Sequence, residues 1–445
     1  MRIDINVHPV ESTNYGFAKI DIRVAENGYI GALDLDFLPL ASIPNRSTIS
    51  LDLLYLSAVV YSVDKIVRRK RAADAWTRQL DLHMPVENPD RWNQVKEDLQ
   101  CCLSFLTGDN WAFCFTQLDS PLIRPRNNQL GIITITPVAV SLFSGGLDSL
   151  IGVINWLEEN DGQIILAGHY DGSAPSAKGD QEDVSGVLNR HYQARIHRVQ
   201  VRVGQNPAGK ETTFRSRSFL FLSMGMYIAA AYDQIPLIVP ENGTIGINVP
   251  LTPSRRGSCS TRTTHPNFMR MYVGLIRRLG LINEIINPLE FFTKGECVEN
   301  CLNRTVLEES APLSVSCGKQ GHKRTWLNRH AKGCGRCMPC IYRRAALHKI
   351  DMDTEEYGRN ICSGDVSVDQ DKALADDLRA CVSFLSKNYN ANQVANILLA
   401  NGPVAIENLA AYSGVVVRAM DEIRDLFRDK AIETLRRRAG IQELG

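Results

Sequence analysis

The chain predicts an α/β protein built on a parallel sheet, with an α+β region before that sheet and a helical region after it. Three observations carry this. Between about residues 137 and 350, apolar β-rich runs alternate with stretches of helical periodicity. The segments before them alternate apolar and polar residues with period two, and beyond about 351 the chain is helical and mixed in charge. Strands alternating with helices imply right-handed βαβ units, hence parallel strands with helices on both faces.

At roughly 150 residues per domain, 445 residues suggest three domains, drawn here as 1–136, 137–350 and 351–445. In the first, Ile3–Val7 and Ala18–Val24 read as half-buried strands, and helical patterns follow at about Leu51–Val67 and Arg91–Leu106. Lys65, Arg68, Arg69, Lys70 and Arg71 form a basic cluster that reads as a solvated helix end. In the second, Ile133–Phe143 is an apolar strand, followed by Leu150, Val153, Ile154 and Leu157 at helical spacing. Asp161-Gly162 stops that helix before the strand Ile164–Ala167. Ile196–Val203, Leu237–Val239 and Glu284–Leu289 are further strands. The third region, from Asp371 through Ala439, carries helical pattern without a catalytic constellation and reads as a packing or partner-binding domain.

Composition excludes several classes. With 44% hydrophobic and 22% charged residues the chain is neither disordered nor collagen-like. Fifty basic against 49 acidic residues leave +1, too little to draw the whole chain to nucleic acid or a membrane. No apolar run approaches the ~20 residues that span a bilayer, and no leader-like apolar segment opens the chain. Twelve cysteines in this length are not disulfide density. A cytoplasmic, reducing location is expected.

Ser144-Gly145-Gly146-Leu147-Asp148-Ser149 stands between the first core strand and a helix N-terminus. Adjacent glycines let backbone N–H groups close on an anion, and the helix start adds unpaired N–H groups and the positive end of its dipole. Ser144 and Ser149 add hydroxyl donors, and Asp148 suits a magnesium ion against phosphates. Asp148 is expected at the loop mouth. The Gly-Lys-Ser/Thr ending of a Walker A motif and the GxGxxG spacing are both missing.

Cys334-x-x-Cys337-x-x-Cys340 can reach one ion from a tight turn, with Cys317 as fourth ligand and His322 or His330 as substitutes. Four protein ligands leave no open position, which describes a structural zinc. An iron–sulfur cluster is the competing reading of the same spacing.

Four motifs together resemble a known family. Ser144–Ser149 after a strand resembles the PP-loop of ATP pyrophosphatases. Arg217-Ser218-Phe219-Leu220-Phe221-Leu222-Ser223 resembles the Arg-Asn-x-x-Phe-Leu-Ser segment of the 7-cyano-7-deazaguanine synthase (QueC) family. Asn287-Pro288-Leu289 with Thr293-Lys294-x-Glu296, and Ser316-Cys317 with Cys334 to Arg343, resemble two more of its segments, the last its zinc site. The resemblance covers about 140–350. With the flanking regions, the chain is similar to the extended QueC-like (QatC-like) proteins of bacterial anti-phage systems. It departs in Ser218 for Asn, in sixteen residues between Cys317 and Cys334, and in a substrate segment replaced by Glu241-Asn242-Gly243 and Ser260–Pro266.

The resemblance implies a Rossmann-like sheet of the PP-loop (adenine nucleotide α-hydrolase-like) type with a zinc knuckle. It implies ATP, Mg2+ and Zn2+ as cofactors. The implied activity is that of an AMP- and pyrophosphate-forming ligase: ATP-dependent adenylation of a carboxylate, 7-carboxy-7-deazaguanine or a related deazapurine, leading to an amide or nitrile and serving anti-phage defence. Protein partners from the same operon are expected, no membrane is, and a homodimer is left open. Two alternatives stand beside it, a tRNA-modifying PP-loop enzyme and a non-catalytic ATP-binding subunit of a defence complex.

Residues 317–349 hold nine Lys/Arg and 242–283 six arginines, with no acid in either stretch. Read as the surroundings of an ATP tetra-anion, they make Arg217 and Lys294 candidates for stabilising departing pyrophosphate, joined by Arg343 or Arg344. Thr293…Glu296 reads equally as a capping box with Lys294 turned to solvent. For substrate, Asp171, Glu241 and Asn242 can meet a guanine-like edge, Arg262 can hold a carboxylate, and His265 can act as acid or base, though a histidine before proline is commonly structural.

Overall fold

The computed structural model describes all residues except 10–15, 25–27, 41, 42, 44–46, 125–134, 173–175, 212, 214, 253–261, 370, 371 and 442–445. The start of the expected Ile133 strand and Ser260-Thr261 of the expected substrate segment lie outside the described residues. The strands are β1 (Arg2–His8), β2 (Gly16–Phe17), β3 (Lys19–Val24), β4 (Gly28–Leu35), β5 (Gln79–Val86), β6 (Asn110–Gln117), β7 (Ile123–Arg124), β8 (Pro137–Leu142), β9 (Gln163–Tyr170), β10 (Ile196–Asn206), β11 (Leu237–Ile238) and β12 (Ile285–Ile286). The helices are α1 (Thr48–Ile66), α2 (Pro89–Gln94), α3 (Lys96–Thr107), α4 (Leu147–Glu159), α5 (Ser176–Tyr192), α6 (Arg217–Ala229), α7 (Gly243–Ile247), α8 (Pro266–Arg278), α9 (Lys294–Glu299), α10 (Arg304–Ser310), α11 (Met338–His348), α12 (Lys372–Leu385), α13 (Ala391–Leu399), α14 (Ile406–Lys430) and α15 (Glu433–Arg438).

Ten strands form one mostly parallel sheet in the order β12-β11-β8-β9-β10-β4-β3-β1-β5-β6. From β12 to β10 every pairing is parallel. Numbered along the chain, these five strands run 5-4-1-2-3, so the direction of connection reverses at β8. In such sheets ligands sit beyond the carboxyl ends of the strands at the reversal point, here between β8 and β11.

The sheet does not stop at residue 137. β4 pairs antiparallel with β10, Val203 opposite Leu35, and the β4–β3–β1 meander carries the sheet on to parallel β5 and β6. Residues 1–136 therefore extend the sheet of the central region. One core cluster accordingly runs from Ile3 and Leu54 to Val140 and Phe219. Helix α1 explains how. Its stretch Leu51–Lys65 is buried throughout, because its apolar residues circle the helix and leave no polar stripe.

The basic cluster is the first correction. Arg69 and Lys65 are buried, while Lys70 and Arg71 are exposed. Arg69 donates to Asp109 at 2.9 and 2.7 Å. Arg78 bridges Asp64 at 2.5 Å and Asp109 at 2.6 Å. Asp64 also accepts from the backbone N–H (3.1 Å) and hydroxyl (2.7 Å) of Ser216, the residue capping α6. Burial alone would raise Asp109, but the hydrogen bonds and charge of Arg78 hold its carboxyl below the usual range. The network ties α1, β5 and β6 to the start of α6.

The C-terminal helices pack on α7 and α11 through Ile247, Val249, Met338 and Ile341, with Tyr412, Val416 and Ile423 on the facing side. No helix among the described residues is long and apolar enough to cross a membrane.

Removing one partner of a buried ion network strands the others. Asp109→Ala is expected to lower unfolding stability by about 3–5 kcal/mol in chemical denaturation. A loss under about 1 kcal/mol would show that the network holds nothing together.

Candidate functional site

β8 leads through Phe143 into the turn Ser144–Gly146, and α4 starts at Leu147. Gly145 sits at φ +78°, where a side chain would be strained, and a Cβ there would lie 3.1 Å from Gln181. Neutral hydroxyls serve the loop's N–H groups. The Gly146 N–H donates to Ser144 Oγ (3.2 Å), and the Leu147 N–H donates to Ser316 Oγ (3.3 Å). Ser149 Oγ donates to Gly146 O and meets Ser144 Oγ at 3.2 Å. An anionic oxygen is the stronger acceptor for such N–H groups at a helix start.

Asp148 is buried in the first turn of α4, with its side chain 12% exposed rather than free at a loop mouth. Its Oδ2 accepts from Asn242 Nδ2 at 2.9 Å and from Lys294 Nζ at 2.5 Å. Its Oδ1 is buried, with no hydrogen-bond partner among the described residues. Asn242 is the N-cap of α7, and its Oδ1 accepts from the Ile245 N–H. That position needs an acceptor for the helix and a donor for Asp148, which a side-chain amide supplies at once. Gly243 follows because a Cβ would fall 2.2 Å from Glu290 O.

The capping-box reading of Thr293…Glu296 is right in its box and wrong in its lysine. Thr293 and Glu296 form a capping box at the start of α9, and Lys294 is buried against Asp148 instead of facing solvent. Glu422 of α14 braces this turn, accepting from the Gly295 N–H at 3.2 Å and from the Thr293 hydroxyl. Arg418 pairs with Glu296 at 2.5 Å. The C-terminal region thus holds Lys294 in place.

Glu241, half-buried, faces the same carboxylate. Burial first, then the charge of Asp148, push its carboxyl well above the ordinary range, against the pull of Lys294. Two facing carboxyls with one orphaned oxygen make an all-oxygen donor set that suits Mg2+.

Arg217, at the first position of α6, is partly exposed, and among the described residues no hydrogen bond or ion pair occupies its guanidinium. Its charge reaches Tyr61 and His169. Burial, then Arg217, push the His169 imidazole down to about 3, so it is neutral. Asp171, at the end of β9, accepts from Tyr61 OH at 2.9 Å and lies 3.8 Å from Lys65 Nζ. Tyr61, His169 and Glu422 carry no motif of their own. Ser316 had a signal as the neighbour of Cys317, and Lys65 only as part of a basic run that reads as solvated.

Arg262 and His265 sit elsewhere. Arg262 donates to Phe105 O at 2.5 Å and to Asn401 O at 3.4 Å, its guanidinium 4.2 Å from the Phe105 ring centre. His265 Nδ1 caps α8 by accepting from the Asn267 N–H. Arg343 and Arg344 are occupied too. Arg343 donates to Ala311 O, Ser314 Oγ and Glu355, and Arg344 pairs with Asp353. Their guanidiniums hold loops rather than an approaching anion.

The Sγ atoms of Cys317, Cys334, Cys337 and Cys340 lie within 4.8 Å of one another. A tetrahedral ion with Zn–S bonds of about 2.3 Å has edges of about 3.8 Å, and Cys334 and Cys340 are 3.8 Å apart. Backbone N–H groups of Cys334 and Lys319 donate to Cys317 Sγ, and those of Arg336 and Cys337 to Cys334 Sγ. The set can hold a metal such as zinc. It also anchors the loop: Cys317 adjoins Ser316, and the Val315 N–H donates to Gly145 O at 3.0 Å.

No known family model, no curated protein and no solved structure matches the chain.

Elemental analysis is expected to find about one zinc per chain, and chelation or Cys337→Ser to lower the melting temperature. Iron with visible absorbance would replace zinc by a cluster.

A carboxyl raised in the folded state stabilises fully below its unfolded pKa and less as pH rises toward the folded value. In chelator, Glu241→Gln should therefore melt with wild type near pH 4.5, the ordinary value. At about pH 8 it should melt higher, and Mg2+ should close that gap. Equal melting at both pH values would remove the carboxyl pair from the site.

Proposed function

We propose that the chain is a QueC-like PP-loop ATP pyrophosphatase that adenylates a carboxylate. The observation that carries the reading is the Ser144–Ser149 loop at the reversal point of the sheet, with buried Asp148 held by Lys294 and Asn242. The loop's N–H groups and helix start bind the β,γ-phosphates. Magnesium, held by Asp148 and Glu241, would supply charge neutralisation of those phosphates. A carboxylate oxygen attacks the α-phosphorus, the bond to the bridging oxygen breaks, and pyrophosphate leaves with its charge met by Arg217 and Lys294. A nitrogen nucleophile then attacks the acyl carbon, a proton is lost from nitrogen, and AMP departs.

Resemblance supports 7-carboxy-7-deazaguanine or a related deazapurine as the acid, and a place in anti-phage defence with partner proteins from the same operon. Four cysteine ligands make the zinc structural. The tRNA reading loses part of its expected basic footprint to the interior: Arg336, Arg343 and Arg344 are buried. Lys323, Arg324 and Arg329 stay exposed.

Purified protein with ATP, Mg2+ and an ammonium salt should release pyrophosphate when given 7-carboxy-7-deazaguanine, and mass analysis should find an amide or nitrile. Asp148→Asn, which keeps shape and hydrogen-bonding atoms, should cut turnover by about 10²–10³. Unchanged turnover, or stimulation by tRNA alone, would refute the reading.

A further inference from the structure

The large sheet has two edges, and they are finished differently. β12 is two residues long, whereas β6 at the other end runs for eight, Asn110–Gln117. β6 pairs with β5 in parallel register along its whole length, without a bulge. The Asn110 N–H donates to Arg78 O and the Leu118 N–H to Val86 O, so the even-numbered residues turn their backbone groups to β5. Trp111, Phe113, Phe115 and Gln117 therefore turn their N–H and C=O groups outward. Among the described residues, no hydrogen bond reaches these outward groups.

An open edge invites a further strand, and natural sheets blunt it with lysine, proline, a bulge or brevity. The β6 sequence, Asn-Trp-Ala-Phe-Cys-Phe-Thr-Gln, has no charge and no proline. Trp111, Phe113 and Phe115 are buried against Trp92 of α2 and Thr107 of α3, stacked in a row with ring centres 6.1 and 5.6 Å apart. Ala112, Cys114 and Thr116 are exposed on the opposite face. A partner chosen by charge would find nothing to pair with here. A second β6 running antiparallel would meet no like charge. Only the two-fold register centred on Cys114 pairs all four outward residues, Trp111 with the partner's Gln117 and Phe113 with the partner's Phe115.

We infer that β6 is a homodimer interface, in which two copies pair their β6 strands antiparallel about a two-fold axis at Cys114 and join their sheets edge to edge. The aromatic row then continues across the axis, and on the open face Ala112 stands opposite the partner's Thr116. Cys114 stands opposite its own copy at a position without ladder hydrogen bonds, where Cα atoms lie about 4.5 Å apart, within disulfide reach. β6 is seven strands from β8 in the sheet order, so neither the interface nor its test depends on the proposed reaction.

The test uses the full chain without ATP. Analytical ultracentrifugation at micromolar concentration should give a dimer. Ala112→Lys with Thr116→Lys sets like charges opposite each other across the axis and should raise the dimer dissociation constant by about tenfold or more. Ala112→Lys with Thr116→Glu sets opposite charges at the same places and should restore the dimer, which separates a lost interface from a lost fold. Mild oxidation with diamide should link wild-type copies through Cys114, and Cys114→Ser should abolish the link. In hydrogen exchange, the amides of Trp111, Phe113, Phe115 and Gln117 should be protected in wild type and fast in the like-charge variant. The inference is overturned if wild type is a monomer, if the two double variants behave alike, or if Cys114 forms no link. Protection of those amides in a monomer would assign the edge to another segment of the same chain.

Discussion

A carboxylate buried in the first turn of a helix is the constraint on which this structure depends. Asp148 cannot sit beneath the sheet's carboxyl edge as a charge without a cation and donors placed to meet it. The central and C-terminal regions both contribute to that placement. The central region brings Asn242 and Lys294 from 94 and 146 residues away. The C-terminal helix α14 fixes the turn that carries Lys294, through Glu422 and Arg418. The cysteine knuckle adjoins the strap that lays Ser316 on the loop.

The N-terminal region solves a parallel problem with the same means. Arg69, Arg78, Asp64 and Asp109 form a buried network of two positive and two negative groups. Its free hydrogen-bonding capacity is spent on Ser216, so the start of α6 is positioned by charge burial rather than by its own cap. Arg217 is the next residue, and its guanidinium is left available because the neighbouring acid is already satisfied. Strength and availability thus come from one arrangement. An acid that paired with Arg217 would stabilise the fold and close the site to anions.

Several side chains were ambiguous for a shared reason. A capping box and a buried lysine are compatible, since the box uses Thr293 and Glu296 while Lys294 points from the same turn. A basic run names no direction. Arg69 points inward to Asp109 while Lys70 and Arg71 face water, and residue type does not distinguish them. Arg343 follows the knuckle as an anion ligand would, but packing turns it to Ala311 O and Ser314. His265 caps α8, which its place before Pro266 allowed.

What the sequence determined by itself was local. Alternation and helical spacing laid out the strands and helices of an α/β fold. Gly145-Gly146 between a strand and a helix marked a tight turn, and the spacing of Cys334, Cys337 and Cys340 marked a knuckle able to hold a metal. These follow from backbone geometry and covalent reach over a few residues. Only the tertiary structure decided that residues 1–136 continue the central sheet, that Lys294 meets Asp148, and that Arg262 meets Asn401 O. Such contacts join residues more than a hundred positions apart. They exist only where packing closes the loops between them, and no periodicity or spacing records which surfaces that packing brings together.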